Sequence, residues 1–174
     1  RDSNEPGGPV FNWIDVSGGT RVDLGDDDVA WDIPLGFRFR YYGDTFSTID
    51  VSSNGWMSFE GIDYWYPYYV PSAGDYYAGA IAPFARDLDP TEGEYVRYRT
   101  LGVAPHRQFV IEYNRIPDYY EGNPKTFEVI LSEGTNTIRF QYLVAPNDPY
   151  GFGIESPDET MGMGNGGVGD LFIS

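Results

Sequence analysis

The chain of 174 residues has no cysteine, one histidine, and only 11 lysine and arginine residues against 27 aspartate and glutamate. Without cysteine there is no disulfide framework and no thiolate metal site, so stability must come from packing, aided at most by bound cations. That absence does not exclude secretion. A single histidine falls short of a zinc site, which needs several His or Cys ligands. The formal net charge of -16 repels phosphate backbones and anionic membrane surfaces, which argues against nucleic acid as a partner. No apolar run approaches the roughly 18 residues of a membrane helix and no signal peptide is visible, so direct membrane insertion is not expected. The chain begins with Arg1 rather than Met, as a processed mature protein or a domain cut from a longer one would. Helical periodicity and fixed-period repeats are missing too. In their place stand 15 Tyr, 22 Gly and 13 Pro, a mixture that favours strands joined by many turns.

Strand signals begin near Thr20. Phe37, Phe39 and Tyr41 alternate with Arg38 and Arg40, the pattern of a strand with one apolar and one charged face. Asn54-Gly55, between apolar runs, predicts a tight type I′ hairpin. Phe127, Val129 and Leu131 alternate with Glu128 and Ile130, and Ile138, Phe140 and Tyr142 alternate with Arg139 and Gln141. Glu133-Gly134-Thr135-Asn136 joins these two as a hairpin. Further strands are expected within 48–52, 56–60, 78–84, 94–99, 108–113, 150–155 and 169–173. The fold class is therefore all-β, an antiparallel two-sheet β-sandwich, jelly-roll-like, with ten to twelve short strands and little helix. Residues 1–12, with Pro6, Gly7, Gly8 and Pro9, read as an extended lead-in or linker. Residues 13–174 form one domain with an aromatic-rich insert at 62–78.

Four segments in order, LGFRFRYYGDTFSTIDVSSNGWMSF, IAPFARDLDP, TFEVILSEGTNTIRFQY and GFGIES, resemble the nidogen-like domain of matrix proteins and of plexin-domain-containing receptors. The resemblance spans roughly residues 20 to 156 and is closer still to related sandwich modules of bacterial and archaeal surface proteins. It implies an extracellular or cell-surface, non-catalytic module used in adhesion or assembly, and carries over no catalytic residues. The insert, IDYWYPYYVPSAGDYYA, departs from the family's usual connector.

The insert holds Tyr64, Trp65, Tyr66, Tyr68, Tyr69, Tyr76 and Tyr77, and its Pro67 and Pro71 keep it from being a central strand. Tyr119 and Tyr120 are candidates to join it as a binding surface. Such a loop has three readings: it folds back over a sheet and closes the protein's own core, it makes a protein interface, or it stacks sugar rings. Two acidic groups are candidate calcium sites, Asp26, Asp28 and Asp32 in one and Asp87, Asp89, Glu92 and Glu94 in the other. Calcium accepts several oxygens at flexible geometry. Neither group has EF-hand spacing, and the alternative for both is a solvated acidic turn.

A serine triad would have to use His106, yet no nucleophile elbow accompanies it. A glycosidase needs only two carboxyl groups, but Glu112 and Glu128, on predicted strands, are expected to face outward with nothing marking either as an acid. The tail Met161 to Ser174 is glycine-rich and ends in Leu171-Phe172-Ile173, read as a terminal strand or one lent to a neighbouring subunit. The expectation is a secreted or cell-surface module, without a cofactor unless calcium is bound, that works through contacts with copies of itself or with other surface proteins. A carbohydrate-binding module and a hydrolase or its accessory domain are the alternatives.

Overall fold

The computed structural model describes residues 3, 5–62, 70, 77–144 and 151–164. In chain order the strands are β1 (Thr20–Val22), β2 (Val29–Tyr41), β3 (Asp44–Ser52), β4 (Met57–Ser58), β5 (Ala80–Ala85), β6 (Tyr95–Leu101), β7 (Gln108–Ile116), β8 (Lys125–Ser132), β9 (Thr137–Val144), β10 (Gly151–Glu155) and β11 (Gly162–Gly164). Among the described residues the sole helical element is the 3-10 turn Pro90–Glu92. Two antiparallel sheets result, one ordered β1-β6-β7-β8-β9 and the other β11-β10-β5-β4-β3-β2. Most neighbours within each sheet are sequential strands, and the exceptions are β1 beside β6 and β10 beside β5.

Side-chain alternation builds the core. In β2, Leu35, Phe37, Phe39 and Tyr41 are buried while Gly36, Arg38 and Arg40 are exposed. These meet Phe109, Ile111 and Tyr113 of β7 and Phe127, Val129 and Leu131 of β8 between the sheets. The Phe127 ring stacks on Tyr113 at 4.7 Å and meets Phe84 edge-on at 6.1 Å. Each such side chain contributes roughly 1.5–3 kcal/mol on burial, which holds the two layers together. Prolines sit where the ladder tolerates a missing N–H. Pro34 lies on edge strand β2, and Pro83 lies opposite the register shift between β5 and β10.

Polar side chains pin one sheet to the other. The Tyr113 hydroxyl donates to the Ser52 carbonyl at 2.7 Å, Tyr142 to Pro83 at 2.5 Å and Thr100 to Leu35 at 2.8 Å. All three donors belong to the five-stranded sheet and all three acceptors to the other. Each bond supplies a backbone carbonyl at the core with a side-chain donor from the opposite sheet.

Two expectations need correction. Asn54 and Gly55 do connect β3 to β4, but only Gly55 has positive φ, at 75°, so the turn is not type I′. A Cβ on Gly55 would meet the Phe84 carbonyl oxygen at 2.1 Å, so close approach as well as φ demands glycine there. Second, strands β5 and β8 are buried on both faces because each sheet's outer face is covered. Ile62, Val70 and Tyr77 of the insert pack with Trp56, Ala80, Ala82 and Ala85 outside the six-stranded sheet. Just after the expected lead-in, within the expected domain, the chain covers the outside of the five-stranded sheet, where Val16 packs on Val110 and Ile130. The tail supplies β11 at Gly162–Gly164, while the strand expected at 169–173 lies outside the described residues.

Candidate functional site

Four connections meet at one end of the sandwich: the acidic turn at 26–28, the Asn54 loop, residues 86–89 and the turn 118–122. Buried Asn54 ties them together. Its Nδ2 donates to Asp27 Oδ1 at 2.7 Å, its Oδ1 accepts from the Leu88 amide at 2.8 Å, and its carbonyl accepts from the Arg86 amide at 3.2 Å. The Arg86 guanidinium pairs with the buried Asp118 carboxylate and reaches Glu121 Oε1 at 2.8 Å. Asp118 in turn accepts from the amides of Tyr120 and Glu121, each at 3.3 Å, and the Tyr119 amide donates to the Asp87 carbonyl at 2.9 Å. The turn is therefore fixed by side chains rooted in the core. Sequence reasoning missed Arg86, Asp118 and the structural role of Asn54, because a buried ion pair between distant residues leaves no local pattern.

Tyr119 and Tyr120 project from this turn, 53% and 83% exposed, with ring centroids 5.1 Å apart in an edge-to-face arrangement. Of the other tyrosines proposed for a binding surface, Tyr77 is buried, its ring edge-on to Trp56 at 5.8 Å, which corrects its placement on that surface. A large ring beside the insert's end has more apolar area to bury than polar tip to keep wet. Tyr64, Trp65, Tyr66, Tyr68, Tyr69 and Tyr76 lie outside the described residues.

The two acidic groups do not assemble as the sequence divides them. Carboxylate oxygens of Asp26, Asp27 and Asp87 lie within 4.8 Å of one another, one cluster drawn from both groups. Asp28 instead accepts from the amides of Gly25 and Val29, and the Asp32 amide donates to Asp50. Asp89 caps the 3-10 turn by accepting from Thr91, and Glu94 pairs with Arg115 at 3.1 Å, while Glu92 is exposed. Desolvation, then the neighbouring carboxylates, push the acids of Asp26 and Asp87 above the ordinary aspartate range. Three carboxylates could hold a hard cation, with water or carbonyls completing the six to eight oxygens that calcium takes.

His106 is exposed, and its imidazole has no hydrogen-bond partner among the described residues. Glu112 and Glu128 are direct cross-strand neighbours on the outer face of the five-stranded sheet. Contrary to expectation they are buried, 4% and 0% exposed, and the Ile14 amide lies against Glu128. The Glu112 acid is raised by desolvation, and that of Glu128 is pushed up to about 7 by the same cause.

No helix among the described residues is long and apolar enough to cross a membrane. No curated protein and no solved structure is similar enough to this chain to count as a match. The NIDO-related family model, in contrast, matches residues 9–173, taking in both sheets and all the loops of the acidic, tyrosine-bearing end. A two-sheet sandwich carrying the four ordered motifs over that span places the chain in the NIDO-related, that is nidogen-related, family.

Proposed function

We infer that this chain is a non-catalytic module of a secreted or cell-surface protein that acts in adhesion or assembly through protein contacts, with Tyr119 and Tyr120 at the contact. The observation that carries this reading is the pair of exposed rings on a turn held by the buried Asp118–Arg86 pair. Tyrosine brings contact area and a polar tip, and a turn already fixed before binding loses little further conformational freedom. The surrounding carboxylates of Asp26, Asp27 and Asp87 favour a partner surface bearing arginine or lysine. The carboxyl pair Glu112 and Glu128 is enclosed, so it offers no cleft for a glycoside, and this supports the non-catalytic reading.

Self-association is the direct test. Sedimentation of the wild-type chain at rising concentration should show reversible association, weakened about tenfold or more by Tyr119→Ser with Tyr120→Ser, as for interface anchors. Both side chains are solvent-facing, so the double variant should melt with the wild type. Association that is identical in the double variant, or perturbs amides elsewhere but not at 118–122, would refute the assignment.

A further inference from the structure

Residues 12–19 cross the outer face of the five-stranded sheet from β9 to β6. The Asn12 amide donates to Gln141 Oε1 at 2.6 Å and its carbonyl accepts from Gln141 Nε2 at 2.7 Å, on β9. Next, the Ile14 amide donates to Glu128 Oε1 at 3.2 Å on β8, and Val16 fills a site between Val110 and Ile130. The Ser17 carbonyl accepts from Arg97 at 3.2 Å, and β1 then pairs with β6. Gly19 permits that entry, since a Cβ there would sit 2.2 Å from the Tyr98 carbonyl oxygen.

Beneath this strap the register aligns Arg97, Glu112, Glu128 and Gln141 in one row across four strands. Glu112 is supplied with donors, Asn114 at 2.6 Å and Tyr95 at 3.2 Å. Glu128 is not. Its Oε1 accepts from Ile14 and from Gln141 Nε2 at 2.6 Å, while its Oε2 is buried with no hydrogen-bond partner among the described residues. A fully enclosed carboxylate oxygen with no donor, opposite a second carboxylate, is costly when ionised.

We propose that Glu128 is a protonation latch for this strap: segment 12–16 closes over the sheet with Glu128 neutral, and ionisation of Glu128 favours its release. The groups facing Glu128 are Glu112 from β7, which favours the proton, and Arg139 from β9, which opposes it. Arg97 on β6 and Asp15 on the strap act one step removed, on Glu112. Burial holds the Glu128 acid at about 7 when the strap is closed. With the strap open, water returns and the acid reverts toward the ordinary 4.5 of a glutamate. The closed state therefore binds the proton more tightly. Closure is fully favoured below about 4.5, weakens as pH rises from there, and reaches its weakest level above about 7. Apolar Val110 and Ile130 become accessible on release.

Amide hydrogen exchange of the intact chain, corrected for intrinsic rates, tests this. Protection at Ile14 should fall roughly tenfold to hundredfold between pH 5.5 and pH 8.5, the range that a displaced acid of this size allows. Glu128→Gln should keep the Ile14 contact and lose the pH dependence, and Glu112→Gln should move its midpoint downward without abolishing it. Equal wild-type protection at both pH values, or a Glu128→Gln strap that still loosens with pH, overturns the proposal. So does a Glu112→Gln variant that alone removes the effect. Should Glu128→Gln fold poorly, a carbon-detected titration of the wild-type Glu128 carboxyl decides: a midpoint near neutrality upholds the latch, and one near 4.5 overturns it.

Discussion

Single residues in this protein are set by where their polar atoms end up. Tyr113 illustrates the rule: its ring lies in the core against Phe127 and its hydroxyl must find the Ser52 carbonyl, because the enclosed group has no water to turn to. Tyr113→Phe keeps the ring and removes the pin, and should cost about 1 kcal/mol in urea denaturation, the scale of one hydrogen bond lost from the core. A change below a few tenths would show that Ser52 finds another donor. Asp87 makes the opposite case. Its acid is raised by desolvation and by Asp27 and Asp26, so the folded protein binds the proton more tightly than the unfolded chain and loses stability as pH rises through that range. Asp87→Asn should therefore stabilise at pH 7 by on the order of 0.5 kcal/mol, the scale of solvent-screened charges. The gain should vanish near pH 3, where wild-type Asp87 is protonated anyway, and a destabilised variant at pH 7 would mean that the carboxylate is needed there.

At the level of elements, hairpins and straps are fixed by different interactions. The β8–β9 turn is clamped by Arg107, which meets both oxygens of Glu133 at 2.6 and 2.8 Å and also reaches the Gly36 carbonyl. Hydrogen bonding to Arg107 holds the Glu133 acid down at about 2. A depressed acid stabilises above its ordinary 4.5 and loses that contribution as pH falls toward 2, so Glu133→Gln should be less stable than wild type at pH 6 and equal to it near pH 2. Thermal melts at both values check the sign. The strap combines backbone hydrogen bonds to Gln141 and Glu128 with apolar burial. Val16→Ala, which empties part of the site between Val110 and Ile130, should cost roughly 1–2 kcal/mol or raise exchange at 12–16 selectively.

For the molecule as a whole, charge dominates the response to solution conditions. A net -16 opposes compaction, and the acids of Asp26, Asp50, Asp87, Glu112 and Glu128 are all raised by desolvation. Both effects make the folded state hold protons more tightly than the unfolded one near neutrality. The melting temperature should accordingly be higher at pH 5.5 than at pH 8. Added sodium chloride should raise it more at pH 8, because screening acts on the charges that remain ionised. A melting temperature highest at pH 8 and indifferent to salt would contradict this account.

Alternation was enough to read the two layers from the sequence: Phe37, Phe39, Phe127 and Val129 recur every second residue, and that period alone commits them to one side of a pleated strand. The acidic excess and the freedom from cysteine were equally plain. Coverage of the sheets' outer faces was not, since it depends on segments remote in sequence. Glu128 alternates like a solvent-facing residue, and only the return of residues 12–16, more than a hundred positions away, encloses it. Asn54 reads as a turn former for the same reason, until Asp27 and Leu88 arrive at its amide. Local pattern dictates which face a side chain takes, whereas whether that face meets water is decided by chain segments that only folding brings near.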